Sequence, residues 1–133
     1  MNDHVVDLSY DLIRSVLAEE GWSHVDAPDD ALAVLFEDAD FIVSIAGDVL
    51  VVTGLVDAPG FSPEQIDDLI ETWHRSRPWP TCRRTLEEDG SVTVVTEVAG
   101  FYPSGLSADQ AVTHLRSAVG STQALVARLD AER

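Results

Sequence analysis

Apolar residues recur along this chain with two different periods, and these periods divide it into helices and strands. Spacings of three and four, typical of a helix with one buried face, predict three helices. Shorter apolar runs between turn residues predict five strands. The predicted helices are Tyr10–Glu20, Pro63 to about Arg77, and Ala108 to about Ala131, and the predicted strands are Ala33–Glu37, Phe41–Ala46, Val49–Val56, Thr81–Leu86 and Ser91–Val98.

Local sequence signals support these boundaries. Ser62 with Gln65, and Ser107 with Gln110, have the spacing of capping boxes that begin helices. Gly47-Asp48 and Glu88-Asp89-Gly90 are typical of the turns that join antiparallel strands. Pro78 cannot continue a helix, so the second helix must end by about Arg77. The predicted order is therefore α-β-β-β-α-β-β-α, with residues 22–28 forming a link or a short edge strand.

The strand Val49–Val56 is apolar on both of its faces, which is typical of a central strand. One interpretation is that helices cover one face of the sheet while a homodimer partner or a bound peptide covers the other. The alternative is that the third helix wraps the second face. The sequence predicts a single α+β domain, residues 1–133, with one layer of five-stranded antiparallel sheet packed by helices.

Composition excludes several classes of function. The chain has 133 residues with 24 acidic and 8 basic side chains, and its formal net charge is -16. Binding to nucleic acid or to an anionic membrane needs clustered cations, so we expect neither. A GC-rich genome or a salt-adapted proteome would give the same acidity, so the charge does not assign a function. Cys82 is the single cysteine, and the start of the chain lacks the pattern of a signal peptide. We therefore expect a cytoplasmic protein.

Cations and tryptophans are concentrated between residues 73 and 84. The candidate partner-binding residues are Trp73, Arg75, Arg77, Trp79 and Arg83. Arginine with tryptophan suits the recognition of an acidic peptide or a small anion. The same residues could instead have structural roles, in which Trp packs under the helix end and Arg offsets the helix dipole or pairs with carboxylates.

No pattern of catalytic residues stands out. His74 has no Ser or Cys at a recognisable spacing, and Cys82 lies on a predicted strand where it is expected to pack. The four histidines are scattered, and Asp38 and Asp40 lack the rest of a calcium loop. We predict no catalytic site, no cofactor and no metal.

The order of elements and the segment around the second helix resemble the YbjN family, bacterial proteins with a type III secretion chaperone-like fold. The residues that carry this resemblance are Trp73, the turn 75–77, Trp79-Pro80, Asp89-Gly90 closing the hairpin, and 105–107 opening the long last helix. Members often carry Asn on the last turn of the central helix, where this chain has Thr72 and His74. The resemblance implies an α/β layer around one antiparallel sheet, often dimeric, that acts as a regulator or a chaperone-like binding module.

Together these observations predict a non-enzymatic protein-binding module, chaperone-like or regulatory. We expect it to act as a homodimer that holds a partner polypeptide. The alternative is a sensor of a small ligand or anion that uses the Trp/Arg-rich turn at residues 73–84.

Overall fold

A computed structural model describes residues 4–132, which form one sheet layer and one helix layer. The helices are α1 (Tyr10–Glu20), α2 (Pro63–Ser76) and α3 (Ala108–Ala131). The strands are β1 (Val5–Val6), β2 (His24–Ala27), β3 (Ala31–Leu35), β4 (Asp40–Ala46), β5 (Val49–Asp57), β6 (Thr81–Leu86), β7 (Val92–Phe101) and β8 (Leu106–Ser107).

The main sheet has six strands in the order β2-β3-β4-β5-β7-β6, and every neighbouring pair is antiparallel. The two-residue strands β1 and β8 form a separate antiparallel pair. Strands β2 to β5 follow one another as a meander. Strand β7 then pairs with β5, and β6 becomes the edge strand. The α+β class and the antiparallel sheet are as predicted.

The helix ends follow the predicted local chemistry. Ser62 with Gln65 and Ser107 with Gln110 both form complete capping boxes, with each serine side chain accepting from the glutamine backbone N–H. Gly21 ends α1 in the left-handed conformation at φ 72°, which glycine adopts without steric cost. These caps satisfy backbone groups that the first and last turns leave unpaired.

All three helices pack on the same face of the sheet. On that face Thr96 of β7 contacts Thr122 of α3, Arg84 of β6 pairs with Asp67 of α2, and Asp26 of β2 pairs with Arg14 of α1. The core lies between the two layers and contains Phe41, Leu32, Leu50, Ile66, Leu115 and Leu125, each at most 1% exposed. The interpretation in which the third helix wraps the second face is therefore wrong.

The predicted number of strands is also wrong, because the main sheet has six strands rather than five. The sixth strand is β2, which is the short edge strand given as one alternative for residues 22–28, and it forms a hairpin with β3 around residues 28–30. Asp29 and Asp30 both adopt positive φ, 62° and 56°, and this tight turn starts β3 at Ala31 instead of Ala33. Strand β7 extends to Phe101, beyond the predicted end at Val98, because β5 still pairs with it at Val49.

Candidate functional site

Trp73 and Trp79 lie together where α2 ends. The Trp73 side chain is 6% exposed, and its indole Nε1 donates a hydrogen bond to the backbone oxygen of Trp79 at 3.1 Å. The guanidinium of Arg77 lies 4.4 Å from the Trp73 ring centroid, which is within the range of a cation–π contact. Trp79 itself is 54% exposed. These three predicted site residues therefore form one cluster, in which Trp73 packs and Trp79 faces solvent.

The other two predicted site residues point elsewhere. Arg75 forms an ion pair with Glu71 one turn earlier on α2. Arg83 follows Cys82 on β6, and alternation places its side chain on the face opposite the buried thiol. The neighbouring Arg84 points to the helix layer and bonds both carboxylate oxygens of Asp67, at 2.8 and 3.2 Å. The five predicted residues thus do not face one common site.

A cavity of about 310 Å³ opens beside this cluster, between α2 and α3. Two basic residues, Arg77 and Arg128, line it together with the hydroxyl-bearing Thr72 and Ser76. Arg128 also pairs with Glu132, so any anion entering here would compete with that carboxylate. Sequence spacing could not have found Arg128, because it is 51 positions from Arg77 and reaches it only through the packing of α3.

His74 and Cys82 are neighbours, but they do not form a nucleophile and base. The His74 Nε2 accepts a hydrogen bond from the backbone N–H of Cys82 at 3.1 Å. The Cys82 thiol donates to the backbone oxygen of Pro80, and burial raises its pKa to about 11. Because the thiolate is the reactive form, this geometry gives Cys82 a packing role.

The face of the sheet away from the helices is open and apolar at its centre. The strand registers align one row across it, in the order Leu35, Asp40, Leu55, Val95 and Arg83. Leu35 is 50% and Leu55 38% exposed, while Val95 is shielded by its neighbours. An acidic side chain on β4 and a basic one on β6 therefore flank an apolar centre. We call this surface the open face.

A second polar cluster, missed by the sequence analysis, lies at the far end of β7. The His114 side chain is 7% exposed, its Nε2 lies 3.0 Å from the backbone oxygen of Val98, and its Nδ1 lies 2.7 Å from the Tyr102 hydroxyl. A carbonyl only accepts, so Nε2 carries the proton and Nδ1 accepts from Tyr102. Burial lowers the pKa of His114, which favours this neutral form.

Gly100 makes room for that histidine. A Cβ at this position would lie 2.7 Å from Cε1 of His114, closer than side chains tolerate. A glycine inside an otherwise apolar strand pattern signals such a close approach, and it was the one sequence signal available for this cluster. The residue that needs the space, however, comes from α3 and cannot be identified locally.

Among residues 4–132, no group of three or more His, Cys, Asp or Glu side chains is arranged to hold a metal ion. Within the same range, no helix combines the length and apolar character needed to cross a bilayer.

Comparisons with known proteins give a match at the level of structure. No protein-family model and no curated protein matches the sequence. YbjN from E. coli, a candidate transcription regulator, superposes with a TM-score of 0.83 at 12% identity, covering 97% of this chain and 96% of that one. An uncharacterized protein from Methanothermobacter thermautotrophicus superposes with a TM-score of 0.67 at 15% identity, covering 94% of this chain and 99% of that one.

Neither of these two proteins is described as an enzyme. Identities of 12 and 15% carry the fold and nothing finer, so function cannot be transferred from them. The similarity extends over nearly the whole chain and includes the helix layer, the sheet and the long last helix. The chain therefore has the fold of YbjN, as its Trp/Arg segment and order of elements predicted.

Proposed function

We propose that this protein is a non-enzymatic, regulatory protein-binding module that acts as a homodimer through the open face. The observation that carries the proposal is that all three helices pack on one side of the sheet, leaving apolar side chains uncovered on the other. Large exposed apolar surfaces on soluble proteins mark interaction sites. Each strand residue covers about 16 Å² of one sheet face, so the open face of the six strands has an area of roughly 650 Å². This is close to the ~800 Å² that each partner buries in a standard protein–protein interface.

Charge complementarity favours a second copy of this chain as the occupant. In the proposed dimer the open faces of two copies are in contact, and a twofold axis runs parallel to the strands between β5 and β7. This axis places β4 of one copy over β6 of the other. Asp40 of each copy then faces Arg83 of the second copy, and Leu55 faces Val95. Such an isologous interface uses the same patch of both copies, so the Asp40–Arg83 pair occurs twice, once on each side of the axis.

The test is the oligomeric state in solution, measured by light scattering. We expect wild-type protein to be a dimer and Leu55→Glu to be a monomer, since the variant places a carboxylate at the apolar centre. Leu86→Glu is the matched control, because Leu86 is also exposed, at 58%, but lies at the end of β6 outside the aligned row. A monomeric wild type, or a dimer that survives Leu55→Glu, would remove the proposal.

The cavity between α2 and α3 favours a second candidate function, sensing of a small anion. Two basic residues, Arg77 and Arg128, line the same space of about 310 Å³. A thermal-shift screen with phosphate, citrate and nucleotides tests this function. Stabilisation by one of these anions that disappears in Arg77→Ala, and persists in Arg75→Ala, would support the sensor. Equal stabilisation in both variants, or none at all, would argue against it.

A further inference from the structure

Strand β7 extends beyond its outer neighbour. Strand β6 begins at Thr81, opposite Glu97, whereas β7 continues for four more residues to Phe101. On its other side, β7 remains paired with β5 up to the match of Phe101 with Val49. Within residues 4–132, no strand pairs with the outer side of residues 98–101.

The backbone groups of this free segment can be assigned to sides by alternation. The Tyr102 N–H donates to the Asp48 oxygen, and the Val92 oxygen accepts from the Ala58 N–H. The even-numbered residues of β7 therefore direct their backbone N–H and C=O groups toward β5. In an antiparallel ladder successive residues alternate in this respect. Ala99 and Phe101 therefore present N–H and C=O groups to the outer side, where a further strand would bind.

A cavity of about 460 Å³ lies on the helix side of the same edge, with Ala99 among its lining residues. Its walls also include Trp79, Gly100, Tyr102, His114, Ser117 and Ser121. None of these side chains carries a charge at pH 7, because burial lowers the pKa of His114 and raises that of Tyr102. In a chain with a net charge of -16, such an uncharged cavity complements a neutral group.

We propose that the free edge of β7 binds an extended segment of a partner polypeptide by strand addition, with an uncharged apolar side chain inserted in the adjoining cavity. A segment residue placed opposite Val98 or Gly100 directs its side chain to the helix side, where the cavity lies. Backbone hydrogen bonds to Ala99 and Phe101 supply affinity, and the cavity supplies selectivity for the inserted side chain. The exposed indole of Trp79 forms one wall of that cavity.

This inference deepens the proposed protein-binding function by naming the class of partner, and it uses the strand edge rather than the open face. A small apolar molecule could fill the same cavity, but it would leave the backbone groups of Ala99 and Phe101 unpaired. Hydrogen exchange at these two amides separates the two occupants, because only a strand protects them.

The experiment uses ¹⁵N-labelled protein and capped heptapeptides of alternating threonine and valine, with a central Ala, Leu, Phe or Asp. We expect saturable binding that is strongest for Leu or Phe and slows exchange at Ala99 and Phe101. The Asp peptide and a peptide N-methylated along its bonding edge should bind at least about tenfold more weakly. No saturable binding by any peptide would overturn the proposal, as would equal binding by the N-methylated peptide. Free indole serves as a small-molecule probe. Tight binding of indole, with no peptide protecting the two amides, would show a small-molecule site instead.

Two α3 variants locate the site. Ser117→Trp fills the cavity and should abolish peptide binding, while Thr113→Trp, also exposed on α3 but outside the cavity, should leave it unchanged. Loss of binding in both, or in neither, would place the site elsewhere. Peptide binding is also measured with Leu55→Glu, the variant that tests the dimer. We expect this variant to bind the peptide whether or not wild-type protein dimerises, so the two proposals can fail independently.

Discussion

The hydroxyl oxygens of Thr96 on β7 and Thr122 on α3 lie 2.8 Å apart, and both side chains are 1% exposed. Each hydroxyl finds its partner in the other, so the pair joins the sheet to the last helix at the centre of an apolar core. Gly54 on the neighbouring strand leaves space for this contact, since a Cβ there would lie only 2.3 Å from the Thr96 hydroxyl oxygen.

Removing one hydroxyl of the threonine pair should lower the free energy of unfolding more than removing both. Thr122→Val leaves a buried hydroxyl without a partner, and we expect the free energy of unfolding to fall by about 1–3 kcal/mol. The double variant Thr96→Val with Thr122→Val should be less affected than either single variant. Urea unfolding of the four proteins measures this coupling. Additive losses in the double variant would contradict the inferred pair.

The two tryptophans should respond differently to truncation. Trp73 is buried, so Trp73→Ala should lower the free energy of unfolding by about 3–5 kcal/mol. Trp79 is half exposed and bonds Trp73 through its backbone oxygen, which survives in Trp79→Ala, so that loss should stay below about 1 kcal/mol. Denaturant unfolding gives both values. Similar losses in the two variants would mean that Trp79 is a packing residue rather than an exposed wall.

His114 should make stability depend on pH. Burial holds its pKa below the ordinary 6.5, so the unfolded chain binds the proton more readily than the folded protein. Stability is then lost as the pH falls below about 6.5, by at most about 1.4 kcal/mol per pH unit. His114→Gln removes this contribution. The urea midpoint of wild type should therefore fall more than that of the variant between pH 7.5 and 5.5, and parallel falls would contradict the assignment.

The thiol of Cys82 should react slowly in the folded protein. Its pKa of about 11, against 9.0 for an unperturbed thiol, reduces the thiolate fraction at pH 8 about 100-fold. Iodoacetamide labelling followed by mass spectrometry should therefore be at least that much slower in native protein than in guanidinium chloride. Comparable rates in the two conditions would show that the thiol is accessible and ionised.

Exchanging two charges tests the register of the proposed dimer. Asp40→Arg or Arg83→Asp alone places like charges opposite each other, and each should raise the dimer dissociation constant at least about tenfold. The double variant restores opposite charges and should recover most of the affinity.

Asp68→Arg is the matched control for the charge change, because Asp68 is exposed on α2 in the helix layer. Sedimentation equilibrium gives the dissociation constants of wild type and of the four variants. A double variant that associates no better than the single ones would rule out the twofold axis between β5 and β7.

Local signals were sufficient to predict most elements of the fold. The capping boxes at Ser62 and Ser107 and the glycine turns at Gly47 and Gly90 depend on residues within four positions, and each appears where the sequence placed it. The turn at Asp29-Asp30 was missed because two acidic residues in the left-handed conformation have the same sequence pattern as an exposed loop.

The candidate site was predictable only in part. Strand alternation already separates Arg83 from Arg84, so the division of the arginines between two faces follows from the sequence. The cavity by β7 does not follow from the sequence, because it depends on contacts of His114 on α3 with Val98 and Tyr102. Which face the helices cover is likewise a property of tertiary packing, to which no local pattern corresponds.

The pairing of β5 with β7 has a consequence for synthesis on the ribosome. The meander from β2 to β5 leaves the tunnel directly after α1, yet β7, the neighbour that completes its inner edge, is made only after α2 and β6. The apolar side of that meander is then only partly covered, by α1, until α3 has emerged as well. A nascent chain of this protein is therefore expected to be most open to chaperones and proteases between the emergence of Asp57 and that of Leu129.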